Sequence, residues 1–177
     1  MKYFLISEDR TITQRPSILG WQEKIDVRNI HPESAYKLPK RELVFVQSDP
    51  EPLYTDIISI PFFLVSEKVQ KTIKMYEPRL VTKELVLLDQ GNNKAERYFL
   101  PIFDEVDCLG EGTLYNLNHS EIRKAVLDRH RIGEHSIFRL AGVDKQYIVG
   151  NLDVVESILK RGCVGISLEE LGCMPDA

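Results

Sequence analysis

The pattern that most limits the fold of this chain is a unit used twice: a short apolar strand, a polar cap, an amphipathic helix and a second strand. It spans residues 61–88 and again 146–171. Phe63-Leu-Val-Ser66 ahead of Val69, Ile73 and Tyr76 matches Tyr147-Ile-Val-Gly150 ahead of Val154 and Ile158. In the later copy Asn151 suits an N-cap, because its side chain can accept a backbone N–H that the first turn leaves without a partner. Val154, Val155, Ile158 and Leu159 then make one apolar stripe, with Asp153 and Glu156 toward water. Lys160 and Arg161 complement the negative end of the helix dipole, and Gly162 supplies the left-handed residue that stops a helix. Residues 163–168 are expected to return as a strand. The earlier copy should end at Pro78, which cannot continue a helix and pushes Glu77 out of the α region. Two such units predict a repeated crossover whose helices pack on one sheet; the alternative is two coincidentally similar amphipathic stretches.

A chain of 177 residues suits one domain, read here as an irregular β-rich lobe over 1–60 continuous with an α+β core over 61–177. The expected fold class is α+β: a mixed sheet with a few short helices, containing the two similar units. Strands are predicted at the opening run Met1 to Ile6, from Leu43 to Val46, from Leu80 to Leu88 and from Tyr98 to Phe103. The last two should be joined by a turn at Gly91-Asn-Asn93. Residues 7–41 are turn-rich, with short β-prone pieces near Trp21 and from Ile25 to Val27. Trp21 reads either as an anchor of that lobe or as an exposed binding aromatic. A third helix is predicted from an Asn118 cap with Glu121 three residues on. Leu117 would staple onto Ile122, and Ile122, Ala125 and Val126 would face inward as far as Asp128.

Chemistry-bearing motifs are sparse. No run approaches the roughly twenty apolar residues of a membrane span, and the opening run is too short for a signal peptide, so a cytoplasmic protein without a membrane partner is expected. Cys108, Cys163 and Cys173 lack metal or disulfide spacing; Cys163 reads as a small hydrophobe in a strand. His119, His130 and His135 do not have zinc spacing, and Asp104-Glu-Val-Asp107 offers fewer oxygens than calcium takes. Arg123, Lys124, Arg129, Arg131 and Arg139 could form a small basic patch. The net charge of −4 nevertheless argues against nucleic acid as a partner, and a solvated helix face is the plainer reading. No Gly-x-Ser-x-Gly elbow occurs. The residues thus predict no catalytic group, no metal and no cofactor.

A run of short segments carries one resemblance. Phe63-Leu-Val-Ser-Glu-Lys-Val69, Tyr98-Phe-Leu-Pro-Ile102, Val106-Asp-Cys-Leu109, Ile137-Phe-Arg-Leu140 and Leu159-Lys-Arg-Gly162-Cys-Val-Gly165 resemble bacterial immunity proteins of polymorphic toxin systems, a group first catalogued as a domain of unknown function. The likeness covers residues 57–171 and rests on apolar fold markers. It implies a non-enzymatic protein that binds and neutralises a co-encoded protein toxin. Asp104, Glu105, Asp107 and Glu111 are the expected partner-binding charges. Tyr115 is either an aromatic anchor beside them or a half-buried strand residue. The alternative is a small enzyme with a cleft built from scattered carboxylates and histidines. A deep polar pocket with convergent ionisable groups would favour the enzyme, and a convex or shallow face with acidic and aromatic groups would favour binding.

Overall fold

A computed structural model describes residues 1–175 and shows an α+β fold. The chain opens with β1 (Tyr3–Glu8) and β2 (Ser17–Leu19), passes through three single 3₁₀ turns (Trp21–Glu23, Val27–Asn29, Ala35–Lys37), and continues into β3 (Arg41–Gln47) and β4 (Ile57–Ile58). The first repeated unit follows as β5 (Leu64–Ser66), α1 (Glu67–Tyr76) and β6 (Val81–Asp89), with β7 (Lys94–Ile102) completing a hairpin. Five short pieces come next: β8 (Glu105–Val106), β9 (Leu114–Tyr115), β10 (Ile122–Lys124), β11 (Val126–Leu127) and the single turn α2 (Arg129–Ile132). The chain then runs through β12 (Ile137–Leu140), β13 (Ile148–Asn151), α3 (Leu152–Lys160), β14 (Ile166–Glu170) and β15 (Gly172–Cys173).

Both repeated units form, and both are split. In the six-stranded sheet β2-β3-β6-β7-β5-β4, β7 lies antiparallel between β5 and β6, so the two strands joined by α1 run parallel without touching. In the five-stranded sheet β14-β1-β13-β12-β8, β1 lies antiparallel between β13 and β14 in the same way. The helices therefore belong to different sheets rather than to one, but they share a core. Val69 and Ile73 of α1 pack in one cluster with Val154, Val155 and Ile158 of α3, together with Ile6, Val65 and Ile148 from the strands. The Tyr76 hydroxyl ties the helices further, lying 3.0 Å from the Asp153 carbonyl oxygen and 2.5 Å from Ser157 Oγ. Leu159, assigned to the stripe, is instead 48% exposed at its edge.

The caps are local chemistry that the sequence carries openly. Ser66 Oγ accepts from Val69 N at 3.4 Å, and Asn151 Oδ1 accepts from Val154 N at 3.1 Å. Gly162 closes α3 at φ 65°, and Glu77 leaves α1 at φ −123° ahead of Pro78. Ahead of the second cap, a Cβ at Gly150 would lie 2.9 Å from Ile6 Cδ1, so a larger residue there would require the Ile6 side chain to shift.

Three further expectations fail. No helix runs from Asn118 to Asp128: Asn118 Oδ1 accepts from Ser120 N at 3.3 Å, a two-residue turn, and Leu117 is fully exposed instead of stapled. Ala125 and Leu127 alternate into the core as β residues, Val126 pairs with Gly172, and the Ile122 N–H donates to the Tyr147 hydroxyl at 3.0 Å. Tertiary partners therefore outweigh a short helical pattern. The segments at Trp21 and Val27 are 3₁₀ turns rather than β pieces, the second held by Asp26 Oδ1 accepting from Arg28 N at 3.0 Å. Cys163 lies in the loop before β14, which starts only at Ile166. The residues of 1–60, read as a lobe continuous with the core, contribute strands to both sheets: β1 is internal to the second sheet, and β2, β3 and β4 belong to the first.

Candidate functional site

An open cleft of about 1150 Å³ lies between the 3₁₀ turns of the N-terminal region and one face of the second sheet. Its floor is that sheet face, with Leu5 and Ser7 of β1, Ser167 and Glu169 of β14, and Tyr147. One wall carries Trp21, Val27, Ile30 and His31, the opposite wall carries Glu121 and Ile122, and the loop Ser59–Phe62 closes an end. Trp21 is half-buried and meets Phe62 edge-on, with ring centroids 5.6 Å apart at 89°. It thus serves both readings at once, packing on the core and lining the cleft.

Two buried ionic networks hold the walls. Arg139, 6% exposed, donates from Nη1 to the Ile30 carbonyl at 3.2 Å and from Nη2 to the Asp144 carbonyl at 3.2 Å. Its Nε lies 3.4 Å from Glu105 Oε1, close enough for an ion pair but out of line for a hydrogen bond. The same Glu105 oxygen lies 2.9 Å from His31 Nδ1. Burial pulls the Arg139 pKa below its ordinary value, while Glu105 and Asp144 act to raise it. The second network is centred on Glu8, 2% exposed, which accepts from Ser59 N at 3.0 Å and pairs with Arg15. In return, Glu8 N donates to Ser59 Oγ at 2.9 Å, and Glu8 Oε1 is left without a hydrogen bond.

The expected binding residues separate around this cleft. Glu105 is in its wall and is committed to His31 and Arg139. Tyr115 pairs with Ile122, a wall residue, and is half-buried with its ring 5.0 Å from His119. Asp104, Asp107 and Glu111 are exposed and lie outside the lining, Asp104 being 3.9 Å from His135. Arg139 is buried and cannot belong to a basic surface patch. Cys108 is fully buried, and burial, helped by Asp107 and Asp128, pushes its thiol up to about 12. The three histidines do not converge: among the described residues no group of three or more His, Cys, Asp or Glu side chains could hold a metal ion. Nor is any helix among them long and apolar enough to cross a membrane. Sequence reading missed Glu8 and assigned Arg139 to the surface; the signal at Glu8 was a carboxylate continuing the inward alternation of Phe4 and Ile6.

The charges of the cleft are unequally matched. Arg28 pairs with Asp26 at 2.8 Å and Lys145 with Glu121 at 3.3 Å, while Arg139 and Glu8 have the partners described above. Asp9 accepts from Thr11 N at 2.9 Å and Thr11 Oγ1 at 2.7 Å, bonds that lower its pKa, but it has no ion pair among the described residues. Glu169 likewise lacks one there, and Asp144, whose charge acts on Arg139, forms none at contact distance; Arg10 is the lining cation without one. The open face of the cleft is thus biased toward positively charged ligands. No protein-family model and no curated protein matches the chain.

Proposed function

We propose that the protein is an immunity-type inhibitor that binds a co-encoded bacterial toxin in the cytoplasm and masks its active surface. The observation that supports this reading is the negative bias at the open face of the cleft, whose walls are held by the buried side chains of Arg139 and Glu8. A preformed receptor loses little conformational freedom on binding, and opposite charge speeds encounter with a cationic partner. Of the acidic groups first expected to make contact, Glu105 acts from within the wall. Asp104, Asp107 and Glu111 are exposed and can steer from outside the cleft, and Tyr115 is paired beside Ile122 of the wall.

The test is co-expression with the product of the adjoining reading frame. The chain should protect cells from that product and co-purify with it. Reversing Asp104 and Asp107 to lysine should slow association and weaken its salt dependence with the fold intact by circular dichroism. Glu105 is left out of that reversal because its loss would disturb Arg139. Absence of both protection and co-purification would sink the reading.

One observation favours a second reading, a small enzyme: the cleft wall contains a buried carboxylate, Glu8, with one oxygen free of hydrogen bonds. The Glu8→Gln variant separates the two. An enzyme acting on the toxin would lose protection while keeping the complex, whereas in a masking inhibitor protection and binding rise or fall together.

A further inference from the structure

We infer that the outer edge of β14 is a docking strand: it receives an extended segment of the partner in which basic and apolar residues alternate, with the basic side chains entering the cleft. This rests on the reading above that the partner is a polypeptide. The backbone geometry comes first. Asp9 N donates to the Gly165 carbonyl and Leu171 N to the Tyr3 carbonyl, both at 2.9 Å, in register with the β1–β14 pairs. Antiparallel strands alternate between pairs that exchange bonds and pairs that do not. Leu5/Glu169 and Ser7/Ser167 therefore bond inward, and the N–H and C=O groups of Ile166, Leu168 and Glu170 point away from β1. β14 is the last strand of its sheet, and among the described residues none of those outward groups has a backbone partner. Before Ile166 the edge is closed, Asp56 N donating to the Val164 carbonyl at 2.8 Å and Val164 N to Asp56 Oδ2 at 2.6 Å.

Side-chain chemistry then selects the occupant. A strand added to an edge places its side chains beside those of its neighbour on each face. Next to Ser167 and Glu169 they would enter the cleft, where Glu169 has no ion pair among the described residues, so basic groups are favoured. On the opposite face, Ile166 and Leu168 are half-buried against the shared helix core, so apolar groups are favoured. A second copy of this chain suits the edge poorly. Antiparallel self-pairing centred on Leu168 would gather Glu169 and Glu170 from both copies along one short ribbon.

The probe is a fluorescein-labelled nonapeptide alternating Lys and Val, read by anisotropy at low salt against the full chain, with a Glu and Val peptide as control. The Lys peptide should bind saturably and the Glu peptide should not. Glu169→Lys should weaken binding by roughly tenfold or more, the scale of a charge reversal at a contact. Glu170→Pro should weaken it beyond Glu170→Gln, because both remove the charge but only proline removes an outward N–H. Unchanged circular dichroism and melting confirm that each variant is folded; Glu156→Lys on the exposed face of α3 carries the same charge change elsewhere and should bind as the parent does. No saturable binding, equal binding by Glu169→Lys, or a concentration-dependent dimer relieved by Glu170→Pro would overturn the inference. Peptide binding with this pattern in a chain that fails to protect against the toxin would leave the docking edge standing and remove the immunity reading alone.

Discussion

Arg139 reaches out of the second sheet to the main-chain carbonyl of Ile30, 3.2 Å away and 109 residues distant in sequence, so one buried side chain fastens the wall of the cleft to its floor. Arg139→Met keeps the bulk and removes the donors, leaving the Ile30 and Asp144 carbonyls without their partner. We expect a loss of about 2 kcal/mol, the scale of hydrogen bonds to a charged group, read from urea unfolding. Amide exchange around Ile30 and His31 should accelerate more than exchange in α1. Glu105→Gln should cost less, since that carboxylate is a third exposed.

Asp89 governs an acid limit to stability. It is 2% exposed and accepts from Ser48 Oγ, from Tyr54 Oη at 2.9 Å, and from Asn92 Nδ2 and N at 3.0 and 3.1 Å. The Ser48 bond leads in holding its pKa down to about 2, from an ordinary 3.8, with Asn92 and Tyr54 adding to it against the effect of burial. A depressed folded pKa means that the unfolded chain takes up the proton first. The contribution is therefore complete above about pH 4 and disappears as pH falls through 2. Urea midpoints followed from pH 5 to 2 should fall more steeply for the parent than for Asp89→Asn.

The two caps should differ in value. Asn151→Ala removes one capping bond and should cost about 1 kcal/mol, the usual figure for such a cap. Ser66→Ala removes a longer cap bond together with the bond from Ser66 Oγ to Asp56 Oδ1 at 2.6 Å, and should cost more. Thermal unfolding of both variants in parallel decides the order.

Ile158→Asp tests the shared core. Ile158 is 2% exposed between the helices, and an unpaired carboxylate there should cost about 3 kcal/mol or more, the range for buried polar groups without partners. Both repeated units should unfold together in urea, because Val69 and Ile73 of the first unit belong to the same cluster. Separate transitions for the two units would show that they do not fold as one.

The repeated units were legible in sequence because their information is local. A cap, a stripe with helical spacing and a terminating Gly or Pro all fall within ten or so residues. The same locality misled at Asn118, whose side chain bonds a nearby backbone N–H equally well in a turn as at a helix start; what decided the outcome was the Tyr147 hydroxyl, 25 residues away from Ile122. Arg139 looked like one member of a basic stretch, and its burial depends on Glu105, Ile30 and Asp144, none of which its immediate neighbours reveal. The cleft could not be read at all, since its floor and walls come from segments at both ends of the chain. Of the expected contact residues, only Glu105 lines it, and it does so already paired.

The strand that separates β13 from β14 is β1, whereas the strand that separates β5 from β6 is β7, the other arm of a tight hairpin. During synthesis the first unit can therefore be completed within its own stretch of chain. The second cannot: Tyr3–Glu8 is made long before β13 and β14 and must wait, unpaired, until those two strands emerge to flank it on both sides. The order of translation and the order of assembly are thus opposed at this one strand, and the period between them is when the nascent chain is most exposed to chaperones and to mispairing with its neighbours.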